Sequence, residues 1–185
     1  LATGERCSNH IVGAALGERG VAVGIVDPTA LVVTDSAFGA AEVERSATRA
    51  RLAELLAGNP SDRVLVTGGF VGADPAGRVT TLGRGGSDLS ATVLGSLADA
   101  DEVEIWTDVR GVHTAPPGLV PEARPLAELG YAVAAELAAY GAAVLHQRCV
   151  EPAAGAGVPI VVRSTLEPTG PSTLISAGPD GADRV

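Results

Sequence analysis

Continuous apolar runs alternate along the chain with segments whose apolar residues recur every three to four positions. The runs at residues 21–26, 31–33, 64–67, 103–106, 160–162 and 173–175 are short and rich in Val, Ile and Leu. Such runs suit strands buried on both faces. A further strand at residues 78–82 reads as part of a hairpin whose turn carries Asp74-Pro75-Ala76-Gly77. Helical spacing marks residues 5–19, with Cys7, Ile11, Ala14 and Ala15 on one side, and residues 43–56, with Leu52, Leu55 and Leu56 together. It recurs through Leu89, Val93 and Leu97, through residues 126–140 with Leu129, Val133 and Leu137 in a row, and in a short stretch at 144–154. Gly20, Asn59-Pro60 and Gly141 punctuate these helices. Alternation of this kind predicts an α/β fold with a mostly parallel central sheet sandwiched by helices.

Composition narrows the functional classes. The chain has 185 residues and a net charge of −9, which argues against a nucleic-acid partner held through backbone phosphates. No apolar run approaches the roughly 20 residues of a membrane span, so no membrane partner is expected. Aromatic residues make up 3%, leaving Val, Leu, Ile and Ala to fill the core. All thirteen cationic side chains are arginine, so no ammonium is available for chemistry. With two cysteines and no signal peptide, the sequence reads as a reduced, cytoplasmic protein.

Three places carry candidate chemistry. Gly83-Arg84-Gly85-Gly86-Ser87-Asp88 lies between a strand and a helix. Its glycines let backbone N–H groups approach a ligand, the helix start favours an anion, and Arg84 offers a bidentate donor. The same turn reads equally as a plain helix cap supplied by Ser87 or Asp88. It is neither a Walker A loop nor a Rossmann fingerprint, because the lysine and the G-x-G-x-x-G spacing are absent. Thr107-Asp108 ends a strand, where it could hold a ribose or base or simply form an Asx turn. Glu5 lies in the first turn of the first helix, a position that often serves only the helix dipole. His10, His113 and His146 lack metal-ligand spacing, and no metal site is expected.

Taken together, several segments resemble the aspartokinase branch of the amino-acid kinase family. They are Thr3-Gly4-Glu5-Arg6, Val33-Thr34-Asp35-Ser36-Ala37-Phe38-Gly39, residues 66–72, Thr80-Thr81-Leu82-Gly83-Arg84-Gly85-Gly86-Ser87-Asp88, Ile105-Trp106-Thr107-Asp108-Val109, Val120-Pro121-Glu122-Ala123 and residues 141–146. The resemblance implies a three-layer fold over residues 1–175 lacking the family's first strand and phosphate loop. Residues 176–185 would be a tail, with no regulatory ACT domain. It implies transfer of the γ-phosphoryl group of Mg-ATP to the side-chain carboxylate of L-aspartate or a related amino acid. Glu5, Gly68, Gly69, Arg84 and Ser87 would bind the amino acid, with Glu5 at its amino group and Arg84 at its α-carboxylate. Asp88 would be catalytic, organising the phosphate-facing side, while Thr107, Asp108 and His113 would border the nucleotide. ATP and Mg2+ are the implied cofactors. A homodimer, or a partner chain supplying the phosphate loop, is the implied assembly.

The sequence also departs from the family pattern. Ala143 stands where a phosphate-contacting lysine is expected, and Gly118 where an arginine is expected. Arg110 replaces an aspartate, His113 a tyrosine and Pro116 an aspartate. The lysine of the phosphate loop is a third cation not found here. Loss of one charge-stabilising donor costs such sites about 100- to 1000-fold in rate. The expectation is therefore weak or absent kinase activity, with a non-catalytic amino-acid-binding module as the alternative.

Overall fold

The structure, a computed structural model, describes residues 2–115, 118–139 and 145–178. They fall into two compact units, Leu1–Ser90 and Ala91–Val185.

In the first unit, helix α1 (Ala2–Glu18) leads into strand β1 (Val23–Val26), which pairs in parallel with β2 (Val64–Thr67). The helical reading of this first segment holds, but the face it buries does not. Ile11 is 69% exposed and Cys7 is also exposed, whereas Asn9 and Gly13 are buried. The reason is closeness of approach: a Cβ on Gly13 would lie 2.8 Å from Ile25 Cδ1, so only a small residue fits against β1. The side of α1 bearing Glu5, Asn9 and Gly13, spaced four residues apart, therefore meets the strands.

The strand expected at residues 31–33 is replaced by a short helix, α2 (Pro28–Leu31). Asp27 caps it by accepting from Thr29 N–H at 3.0 Å, and Pro28 fills the first helical position. Beyond it, Val33 and Thr34 make only isolated bridges, to Ala73 and Val43. Helix α3 (Arg45–Ala57) places Thr48 where its hydroxyl accepts the Val33 N–H at 3.1 Å.

The expected hairpin forms between β3 (Val71–Ala73) and β4 (Val79–Thr81). Its turn is organised by Asp74, whose side chain is fully buried. The carboxylate accepts from Arg78 Nε at 2.8 Å, from Ser36 Oγ at 2.9 Å and from the N–H groups of Ala76 and Arg78. The Arg78 guanidinium lies 5.1 Å from the centre of the Phe38 ring, so it ties residues 36–38 to the hairpin. The hydrogen bond from Arg78 chiefly holds the Asp74 carboxyl at about 2, below its usual 3.8. A depressed carboxyl stabilises the fold fully above its unfolded pKa and loses that contribution as pH falls through its folded one. The denaturation midpoint should accordingly decline between about pH 4 and 2. Asp74→Asn, followed by urea titration at each pH, should flatten that decline; identical slopes would remove Asp74 as its source.

Helix α4 (Gly86–Leu97) follows, and the division between the units falls within it. The second unit holds β5 (Val103–Thr107), β6 (Glu128–Gly130), α5 (Tyr131–Ala139), α6 (Gln147–Ala156), β7 (Ile160–Ser164) and β8 (Thr173–Ser176). Its sheet runs β5-β7-β8-β6, with β7 and β8 antiparallel and the other two pairs parallel. Val103, Ile105, Ala134, Val150, Ile160, Val162 and Ile175 form its core.

Here the first part of the helix expected over residues 126–140 is strand. Leu129 has helical spacing to Val133, but its backbone pairs with Ile175, and Ala127 C=O accepts from Leu174 N–H at 2.8 Å. Long-range pairing outweighs local periodicity, and the helix starts only after Gly130. The expected helix at 144–154 begins at Gln147 instead, because His146 caps it. Ser176, read as the start of a tail, belongs to β8. Residues 179–185, Pro116, Pro117 and residues 140–144 lie outside the described residues. Among the described residues, no helix is long and apolar enough to cross a membrane.

Candidate functional site

Strand β2 ends at Thr67 and runs straight into Gly68-Gly69-Phe70. A Cβ on Gly68 would lie 3.2 Å from Asn9 Nδ2 and 3.5 Å from Glu5 Cβ. The turn therefore sits directly against the buried face of α1, and Glu5 is brought to the carboxyl end of β2. Gly69 lies on the other neighbour: a Cβ there would be 2.9 Å from Ser87 Cα. Hydrogen bonds then tie the turn to α4 and to Leu82, just after β4. Phe70 N–H donates to Ser90 Oγ at 2.8 Å, Ser90 Oγ donates to Gly86 C=O at 2.8 Å, and Leu82 N–H donates to Phe70 C=O at 2.9 Å.

Phe70 is held at φ 69°, in the left-handed region. For a bulky side chain this is a strained conformation, of the sort that surrounding structure imposes at ligand sites. The glycine-rich turn between β4 and α4 is shaped similarly: Gly83 and Gly85 have φ of 79° and 69°. The helix starts at Gly86, so the residue before it is Gly85, which has no side chain to cap with. Arg84 and Ser87 are exposed and Asp88 is half-buried in the first helical turn. The first unit thus gathers Glu5, Gly68, Gly69, Arg84, Ser87 and Asp88 around two turns that meet at Gly69 and Ser87.

The remaining expected residues belong to the second unit. Thr107 C=O accepts from Thr165 N–H at 2.7 Å and from its hydroxyl at 2.9 Å, fixing the end of β5. The exposed Asp108 carboxylate accepts from Thr107 Oγ1 at 3.2 Å, not from a backbone N–H two residues on, so this is not an Asx turn. Thr173 Oγ1 accepts from Val112 N–H and donates to Leu126 C=O, anchoring the loop that carries His113. His113 Nδ1 lies 3.2 Å from Gly111 C=O. Arg110, unexpected at its position, pairs with Glu167. A hollow of about 460 Å3 between α5 and α6 is lined by Tyr131, Ala135, Arg148 and Glu151, and by none of the residues singled out from sequence.

Sequence reading overlooked Asn9 and Ser90. Asn9 is four residues from Glu5, and Ser90 four from Gly86, so helical spacing from a suspected residue was the available signal. Among the described residues, no three His, Cys, Asp or Glu side chains converge on a cage for a metal ion.

Comparison with known proteins agrees with this architecture. Residues 1–164 match the amino acid kinase family. The chain is 37% identical over 172 residues to lysine-sensitive aspartokinase 3 of Escherichia coli K12, covering 93% of this chain and 38% of that protein. It is 41% identical over 174 residues to an aspartokinase of Thermus thermophilus, covering 94% and 42%. The chain thus spans about two fifths of the length of these relatives. Among solved structures, E. coli aspartokinase III in complex with aspartate and ADP superposes with a TM-score of 0.92 at 36% identity, covering 96% of this chain and 40% of that one. The fold class is accordingly α/β of the aspartokinase type, with mixed strand pairing, and the chain belongs to the amino acid kinase family.

Proposed function

We propose that the first unit holds L-aspartate at the junction of the Gly68-Gly69 turn with the start of α4. The inherited reaction is phosphorylation of its side-chain carboxylate by ATP, giving 4-phospho-L-aspartate. The observation that carries this reading is the contact of Gly69 with Ser87, which joins the Glu5 side of the unit to the Arg84 turn. Aspartate and ADP are bound in the solved E. coli relative, which supports an amino acid and a nucleotide as ligands.

The chemistry follows from charge. Arg84 would clamp the α-carboxylate through two parallel hydrogen bonds, and Glu5 would neutralise the ammonium group. The side-chain carboxylate is then left free as the nucleophile. One of its oxygens attacks the γ-phosphorus, the bond to the bridging oxygen breaks, and ADP leaves with that electron pair. Little covalent work falls to the protein, which contributes position and compensation of charge. The N–H groups at the start of α4 favour negative charge there, and Asp88 would orient that side of the site. Mg2+ would arrive with the ATP phosphates, supplying charge neutralisation. Thr107, Asp108 and His113 would border the nucleotide.

The second reading, a binding module with little or no transfer, is favoured by Ala143 and Gly118, which replace two expected cations. Titration calorimetry with L-aspartate and with Mg-ATP, together with an acyl-phosphate assay, tests both. Aspartate binding with weak nucleotide binding and slow turnover is the expected result. No aspartate binding would overturn the amino-acid site, and brisk turnover would overturn the impairment.

A further inference from the structure

Asn9 is 6% exposed, yet no hydrogen bond ties its carboxamide to another described residue. Among the described residues the sealed side-chain polar atom without a partner is Thr67 Oγ1, so the Asn9 carboxamide keeps contact with solvent, and the question is what it meets when the protein is at work. Its position gives the answer. Asn9 lies four residues after Glu5 on the face of α1 turned to the strands. Its Nδ2 and Oδ1 lie 3.2 and 3.5 Å from the point where a Cβ on Gly68 would stand. Gly68 has no side chain to fill that point, so Asn9 and Glu5 border one small space at the carboxyl end of β2. A carboxylate beside a carboxamide is suited to a cationic donor: the carboxylate neutralises its charge, and the amide oxygen accepts a directed N–H bond.

We propose that Asn9 is a further ligand-contacting and specificity-determining residue, accepting a hydrogen bond from the α-ammonium group of the bound amino acid beside Glu5. This rests on the reading of the first unit as an amino-acid site. Asn9 then separates amino acids from dicarboxylates of the same length. Glu5 alone would attract any cation, whereas the amide fixes the direction of approach.

The probes are L-aspartate and succinate, which is aspartate without its amino group. Titration calorimetry, with displacement for the weaker ligand, gives both affinities for the protein and for Asn9→Leu, which keeps the volume and removes the polar atoms. The expected result is a loss of about 10- to 100-fold for L-aspartate, as for a hydrogen bond to a charged group. Succinate, which offers the amide oxygen no N–H donor, should change by less than about threefold. If Asn9→Leu does not fold, judged by circular dichroism, the ratio of the two affinities in Asn9→Ser decides. A ratio unchanged from the wild type overturns the assignment of Asn9 and leaves the aspartate site standing. Wild-type protein that binds neither ligand overturns both.

Discussion

Replacing Arg84 with alanine is expected to weaken L-aspartate binding by about 30- to 1000-fold while leaving the unfolding midpoint almost unchanged. The affinity loss corresponds to about 2–4 kcal/mol, the usual consequence of truncating one partner of a hydrogen-bonded charge pair inside a ligand site. Stability should be spared because Arg84 is exposed at the top of its turn and packs no core. The turn itself is shaped by Gly83 and Gly85, not by the arginine side chain. Arg84→Lys separates charge from geometry: an ammonium keeps the attraction but cannot form the two parallel bonds of a guanidinium, so an intermediate loss is expected. Calorimetry on the three proteins reads this directly. An Arg84→Ala affinity within threefold of the wild type would place the α-carboxylate elsewhere, whatever the standing of Glu5 and Asn9.

The parts of this site that were legible from sequence are those written locally. The Asp74-Pro75-Ala76-Gly77 turn and the passage from β4 through Gly83-Arg84-Gly85-Gly86 into α4 depend on residues a few positions apart, and both formed as read. What escaped depends on partners far along the chain. The buried face of α1 is set by how near β1 approaches, so it selects Gly13 and Asn9 over the more apolar Ile11. Leu129 was misread for the same reason, since Ile175 is its partner across the sheet. The left-handed Phe70 could not be foreseen, because its conformation is imposed by Ser90 and Leu82 rather than permitted by its own side chain. The candidate residues of the second unit were legible as a strand end, but the Thr173 anchor behind them was not.

Gly69→Ala is the second substitution with a large expected effect, and it differs in kind from the first. The added Cβ would meet Ser87 Cα at 2.9 Å and Ser87 C=O at 3.3 Å. Both are backbone atoms, so no flexible side-chain end can swing aside. Either the turn after β2 or the first turn of α4 must shift, at a cost of about 1–3 kcal/mol or more, as for overpacking in a core. That shift would strain the Phe70–Ser90 and Leu82–Phe70 hydrogen bonds, and with them the placement of Arg84. Gly69→Ala should therefore lower the urea midpoint and weaken L-aspartate binding together. Gly77→Ala is the matched control. At φ 76° with nothing within 4 Å, it carries left-handed strain of about 1–2 kcal/mol but touches no neighbour. It should lower stability by a comparable amount and leave aspartate affinity unchanged. If both variants lose stability and neither loses affinity, the meeting of Gly69 and Ser87 is packing only, and the amino-acid site does not depend on it.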